Sequence, residues 1–336
     1  MKIICDLPNY LLSDIRKLIE NGKYSSFADF VLIASENQLS LELEEQPNLL
    51  ELTMENSRKK SFRDKQNYAH PMKNIATLDQ IENNVSEHIW ENWLWGQINR
   101  LLPIKFAIRL LAIETAKLGQ FPEKGSFNSY ASNEARSFGL FLRGQDEVLS
   151  KARDEKLSTG FPIGDKQEKS LDRYWSHFIG YQRGDGSLTG ALFDLGFANQ
   201  TSNDIGDNLI GLTKAGVRFS QIINPVIDNK IFKKSLSFDE CQFYINHIIE
   251  NVSGEVSLFK ILLELITNGV EKRDLLNVKL REKISSSDWS DGMISTQRAG
   301  AISRMYEIGL ITKKKIGLEV RYLSTEMGNQ FLRREK

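Results

Sequence analysis

Near the C-terminus, the stretch TQRAGAISRMYEIGL places Gln297, Ala301 and Arg304 on one side of a helix, with Arg298 beside them and Ala299, Ile302 and Tyr306 opposite. A guanidinium can donate twice to the edge of guanine, and a glutamine amide can pair with adenine in a similar two-point way. The chemistry available to this group is therefore the reading of base edges, each contact discriminating by roughly 1 to 3 kcal/mol. Two strands follow, ITKKK and EVRYL, and Lys313, Lys314, Lys315 and Arg321 make their polar side basic. Such a hairpin suits phosphate neutralisation, which adds salt-dependent affinity without sequence information. The same residues also suit a solvated helix and a charged hairpin in a protein-interaction module, and both uses stay open here.

Other chemistry is sparse. Arg173, His177, Gln182 and Arg183 form a second polar group in the middle of the chain, diluted by Asp172, Asp185 and Asp194. No phosphate-binding loop, dinucleotide fingerprint, nucleophile elbow or H-E-x-x-H is present, and GDGS at 184–187 reads as turn chemistry. The two cysteines, Cys5 and Cys241, are far apart, and His70, His88, His177 and His247 lack ligand spacing. The expectation is a chain that is not an enzyme, with no cofactor and no metal.

With 44 Lys plus Arg against 44 Asp plus Glu in 336 residues, the formal net charge of zero gives no global attraction to polyanions. Any basic surface must be local. No run approaches the roughly 18 apolar residues of a membrane span, and the N-terminus lacks a signal-peptide core. A cytoplasmic protein with no membrane partner is expected.

The elements that must position the basic groups come next. Helices are predicted over 238–250, 257–269 and 271–284, and Ser295 is a candidate cap for the basic helix. In the middle of the chain, helices are predicted over 101–119, 132–142 and 145–156, and Ser170 is a possible cap for the helix in SLDRYWSHFIGYQ. A turn at RGDGSLTG, a strand at ALFDLGFA, a polar loop at NQTSNDIGDN and a strand at NLIGL follow. Trp90, Trp93 and Leu94 fall at the spacing of a helix face, where core, dimer seam and base stacking are all open. One echo links the two halves: TKAGVRF carries Thr213, Gly216 and Phe219, and TEMGNQF carries Thr325, Gly328 and Phe331, each directly after a candidate second strand. A helix followed by a hairpin, repeated, resembles the winged-helix family. That resemblance implies a helix in a DNA groove and a hairpin against the backbone.

The first forty residues alternate at Ile3, Cys5 and Leu7, then show an apolar stripe at Leu11, Leu12, Ile15, Leu18 and Ile19, and then a Ser26–Asp29 capping box. Strand, helix, helix in this order, with L-P before the first helix and G-x-Y-x-S between the two, resembles the antitoxin-like branch of the ribbon-helix-helix superfamily. The resemblance implies strands paired across a homodimer, and so small a unit needs a second copy to bury its apolar face. Lys2 is then the comfortable DNA contact of the strand. Ser25 and Ser26, at the start of the second helix, present amides for a phosphate.

The expected architecture is mainly α with small β: a ribbon-helix-helix dimerisation module over 1–43, a linker with a helical stretch over 44–85, a helical/winged-helix domain over 86–235 and a C-terminal winged-helix domain over 236–336. The expected function is that of a dimeric double-stranded-DNA-binding protein, most simply a transcriptional regulator. A DNA-binding subunit of plasmid replication, partition or a defence complex, or a scaffold for a protein partner, is the alternative.

Overall fold

The computed structural model describes residues 9–21, 26–28, 30–31, 34, 68, 75–80, 89–184, 186–284, 288–317 and 319–334. The strand expected over 3–7, Lys2, Ser25 and the acidic-then-basic run over 42–65 lie outside them. The chain is mainly helical with small antiparallel sheets and divides into two compact units, Met1–Gln66 and Asn67–Lys336.

In the first unit α1 (Asn9–Glu20) buries Ile15 and stops where the Asn21 amide donates to the Lys17 carbonyl at 3.0 Å. Helical conformation resumes at Phe27, and the Phe30 amide donates to the Ser26 carbonyl at 3.0 Å. Leu11, Phe27 and Val31 stay 37%, 42% and 41% exposed, and Phe27 and Val31 sit one helical turn apart.

The second unit is built from one arrangement used twice. The first copy runs α2 (Leu102–Leu118), α3 (Lys124–Val148), α4 (Gln167–Tyr174) continuing as a π-helical turn (Trp175–Ile179), a short hairpin β1 (Tyr181–Gln182) and β2 (Leu188–Thr189), α5 (Ala191–Asp194), the hairpin β3 (Ala198–Ser202) and β4 (Asn208–Leu212), and α6 (Lys214–Gln221). After α7 (Phe238–Asn251) the second copy runs α8 (Ser253–Thr267), α9 (Arg273–Lys283), α10 (Asp291–Glu307), the hairpin β5 (Ile311–Ile316) and β6 (Glu319–Ser324), and α11 (Glu326–Arg333).

The T-x-x-G-x-x-F echo marks matching hydrogen bonds. Thr213 Oγ1 donates to the Gly196 carbonyl and Thr325 Oγ1 to that of Gly309, both at 2.7 Å. Each threonine also caps its helix, accepting from Gly216 N at 3.2 Å and Gly328 N at 3.1 Å. Gly196 (φ 66°) and Gly309 (φ 81°) take the left-handed turn out of α5 and α10, a conformation that glycine adopts without penalty. A third strand segment joins each hairpin in the same register: Ile210 N donates to Pro122 O, and Tyr322 N to Glu271 O, both at 3.0 Å. Phe219 and Phe331 close the two cores, against Phe197 and Phe259.

Where the copies differ, an insertion is the cause. α10 is one 17-residue helix, whereas in the first copy β1–β2 separates the α4 and π-helical segment from α5. ALFDLGFA, expected as a strand, therefore forms α5 and a turn. Its alternation is misleading because Ala191, Leu192, Phe193, Leu195, Phe197 and Ala198 are all buried. The strand begins at Ala198, the last residue of the expected strand, and runs into the expected polar loop as far as Ser202. The helix expected over 132–142 and the first residues of the one expected over 145–156 form a single helix, α3, in which a Cβ on Gly144 would meet open space, while 149–156 are turns and irregular chain. α3 ends where the Asp146 carboxylate accepts from Leu157 N and Ser158 N at 2.8 and 2.9 Å.

α2 is buried on nearly all sides, including two cations one turn apart. Lys105 donates to the Phe219 and Ile222 carbonyls, and Arg109 to Ser220 and Ile222, so both satisfy the open carbonyls at the end of α6. Glu240 at 3.0 Å and Asp228 at 2.6 Å balance the charges. Burial pulls the Lys105 ammonium down to about 8, against the opposing pull of Glu240.

Candidate nucleic-acid interface

α10 is capped five residues earlier than expected: Ser290, not Ser295, accepts from Met293 N at 3.3 Å. The helix then turns Ile294, Gln297, Arg298, Ala301, Arg304 and Met305 inward, while Ala299 is exposed. Ile302 is buried as expected, but the face expected to read bases is buried as well. Arg304 is 0% exposed and makes paired bonds to the Glu255 carboxylate, Nε at 2.6 Å and Nη2 at 2.8 Å, while Nη1 donates to the Ile98 carbonyl. Tyr244 Oη donates to the same carboxylate at 3.1 Å, and the Phe259 ring lies 5.8 Å from the guanidinium carbon. Arg298 Nε donates to Asn277 Oδ1 at 2.6 Å, and Gln297 is 2% exposed. Arg298 and Arg304 hold α10 to α9, α8 and the preceding segment, Gln297 Oε1 is buried with no hydrogen-bond partner among the described residues, and none of the three presents its polar atoms to a groove.

That preceding segment is the tryptophan-rich stretch. It is not a helix face: a 3-10 turn, Ile89–Asn92, leads into irregular chain. Trp93 is buried, donates to Ser257 Oγ at 2.9 Å and packs edge-on against Trp289 at 5.8 Å. A Cβ on Gly254 would overlap the Asn92 carbonyl, and one on Gly300 the Gly96 carbonyl, so the strap lies directly on α8 and α10. Of the readings open for these tryptophans, Trp93 takes the core.

The basic hairpin divides in two. Lys313 pairs with Asp154 at 2.9 Å and lies 4.1 Å over the Tyr306 ring, and Arg321 reaches Glu271 at 3.4 Å. Lys314 and Lys315 are exposed and appear in no ion pair among the described residues. Ile316 and Val320, both 44% exposed, flank them at the tip. Ser26, in the first unit, is exposed, while Lys2 and Ser25 lie outside the described residues.

Nucleophile and metal chemistry can be stated for the described residues. Cys241 is buried, and desolvation with Glu307 and Glu240 nearby pushes its thiol up to about 12. His247 is likewise buried, its Nε2 2.6 Å from the Leu195 carbonyl and its ring stacked on Phe197 at 4.6 Å; desolvation lowers its pKa. No group of three or more His, Cys, Asp or Glu that could hold a metal occurs among these residues, and no helix among them is long and apolar enough to cross a membrane. No protein-family model, curated protein or solved structure matches the chain.

Proposed function

We propose that this chain is a non-enzymatic, dimeric DNA-binding protein, most simply a transcriptional regulator, with two winged-helix units and a ribbon-helix-helix clasp over 1–43. The observation that carries the reading is the second copy's hairpin. It stands on a scaffold of helix, strand, helix, helix, hairpin and helix, and it carries two exposed, unpaired lysines at its tip. With Gln297, Arg298 and Arg304 inward, the accessible groups along the middle of α10 are small and neutral, Ser295, Thr296, Ala299 and Ser303, and the exposed charge at its start, Asp291, is acidic. The reading therefore assigns affinity chiefly to phosphate contacts and only shallow discrimination to α10. Exposed Leu11, Phe27 and Val31 support the clasp, since a second copy would remove this apolar surface from water.

Replacing Lys314 and Lys315 together with Ala lowers affinity for duplex DNA across sequences and flattens the plot of log K against log salt by about 1.8, two phosphates at roughly 0.9 each. A salt titration by fluorescence anisotropy measures this, and an unchanged slope removes the hairpin from the interface. Deleting residues 1–43 converts a dimer to a monomer in sedimentation. A truncated chain that stays a tight dimer moves the seam elsewhere.

A scaffold reading is favoured by one feature, Leu275 and Val278, 51% and 56% exposed a turn apart on α9. A chain that retards no DNA at low salt but co-purifies with a protein selects it.

A further inference from the structure

The two copies face each other across a cleft of about 620 Å³, within the roughly 300 to 1,000 Å³ of small-molecule sites. One wall is the outer face of α10, with Ser295, Ala299 and Ser303. The opposite wall is α4 and its π-helical continuation, with Arg173 and His177. The strap closes one end through Gln97 and Asn99. Neither the expected base readers nor the basic hairpin contributes to it.

Its chemistry is one-sided. In a chain with equal numbers of acids and bases, none of the lining residues is Asp or Glu. The nearest acid in sequence, Asp172, accepts from Trp175 Nε1 at 3.3 Å. The Arg173 guanidinium, the Gln97 and Asn99 amides and the Ser295 and Ser303 hydroxyls have no protein hydrogen-bond partner among the described residues. Thr296 is different, because its hydroxyl proton goes to the Gly292 carbonyl at 2.8 Å. Partial burial and the charge of Arg173 lower the pKa of His177, which suits a neutral imidazole that donates without adding charge.

Five side chains thus offer donors around one concavity with a single fixed positive charge. A carboxylate has two oxygens and cannot engage them all, whereas a phosphate ester presents three or more and matches the arginine fork. Phe161, Pro162 and Phe178 supply an apolar patch beside the donors, room for the body of a ligand larger than inorganic phosphate. We propose that this cleft binds a phosphate ester of nucleotide size, with Arg173 as the anchoring cation and Gln97, Asn99, Ser295 and Ser303 as neutral donors. Such a ligand touches both copies, so its occupancy is linked to how they pack. The site shares the outer face of α10 with the shallow discrimination proposed above but does not use Lys314 or Lys315.

The test is calorimetric titration of the full chain with inorganic pyrophosphate, with AMP and with a 12-nucleotide single strand, comparing wild type, R173Q and A299W. Arg173 and Ala299 are exposed, so both variants should keep the wild-type thermal melt. R173Q removes the charge and should weaken binding about tenfold or more; A299W fills the cleft and should abolish it. Binding of pyrophosphate or AMP with these losses supports a free phosphate ester as ligand. Binding of the oligonucleotide alone, with the same losses, supports the site and assigns the phosphate to a nucleic-acid strand. No binding of any probe, or binding that R173Q leaves unchanged, overturns the proposal. Because K314A/K315A should leave pyrophosphate and AMP binding intact, failure of the hairpin reading and failure of this one are told apart.

Discussion

Replacing Arg304 with Ala destabilises the protein by about 3 to 5 kcal/mol, the cost of leaving a buried charge without its partner. The Glu255 carboxylate, itself 0% exposed, would lose two charge-assisted bonds and keep only the Tyr244 hydroxyl, while the Ile98 carbonyl would lose its donor. The double variant R304M/E255L should recover much of the loss, because an apolar pair of similar volume removes both desolvation penalties. Urea denaturation followed by circular dichroism measures both. The experiment also decides what a DNA-binding defect in R304A would mean: a residue that read bases from the surface would leave stability near wild type and change specificity. A stable R304A protein would therefore overturn the placement of this side chain in the core.

The second large effect tests the internal repeat. A methyl group on Gly216 would overlap the Phe197 carbonyl, and one on Gly328 would overlap the Leu310 carbonyl. Both obstacles are backbone atoms that also accept the amide hydrogens of Thr213 and Thr325. Neither can swing aside as a flexible side chain could. G216A and G328A should each cost about 1 to 3 kcal/mol, as overpacking of a tight contact does, and the two losses should be similar because the contacts are equivalent. G144A is the control. That glycine lies within α3, near its C-terminal end, with open space around its Cβ position, so alanine should be neutral or stabilising by up to about 1 kcal/mol. If G216A melts like wild type, the close helix-to-strand approach in the first copy is absent.

Much of the scaffold was legible because it rests on local signals. The amphipathic stripes of α1, α7 and α8 and the end of α8 at Asn268 and Gly269 depend on residues within a few positions of one another. The T-x-x-G-x-x-F echo was readable for the same reason: a threonine cap and a glycine at a fixed offset need nothing from elsewhere in the chain. α5 was misread because period-two alternation loses its meaning where both faces are covered. The strap was misread as a helix face because Trp90, Trp93 and Leu94 have helical spacing without helical conformation.

The candidate site was harder for a different physical reason. Arg298 and Arg304 were assigned to the surface because isolated charges belong in water, and Arg304 is buried because Glu255, 49 residues away, meets it with two hydrogen bonds. The cleft depends on residues from 96 to 303 that share no sequence spacing. Composition, caps, periodicity and the repeated motif were determined by the sequence alone, since each arises from neighbours along the chain. Which face of α10 is inside, which lysines of the hairpin remain unpaired, and that Arg173 faces Ser303 across a cleft free of carboxylates were decided only by tertiary structure. The desolvation of a charge is offset by whatever partner the fold brings to it, and that partner can come from anywhere in the chain.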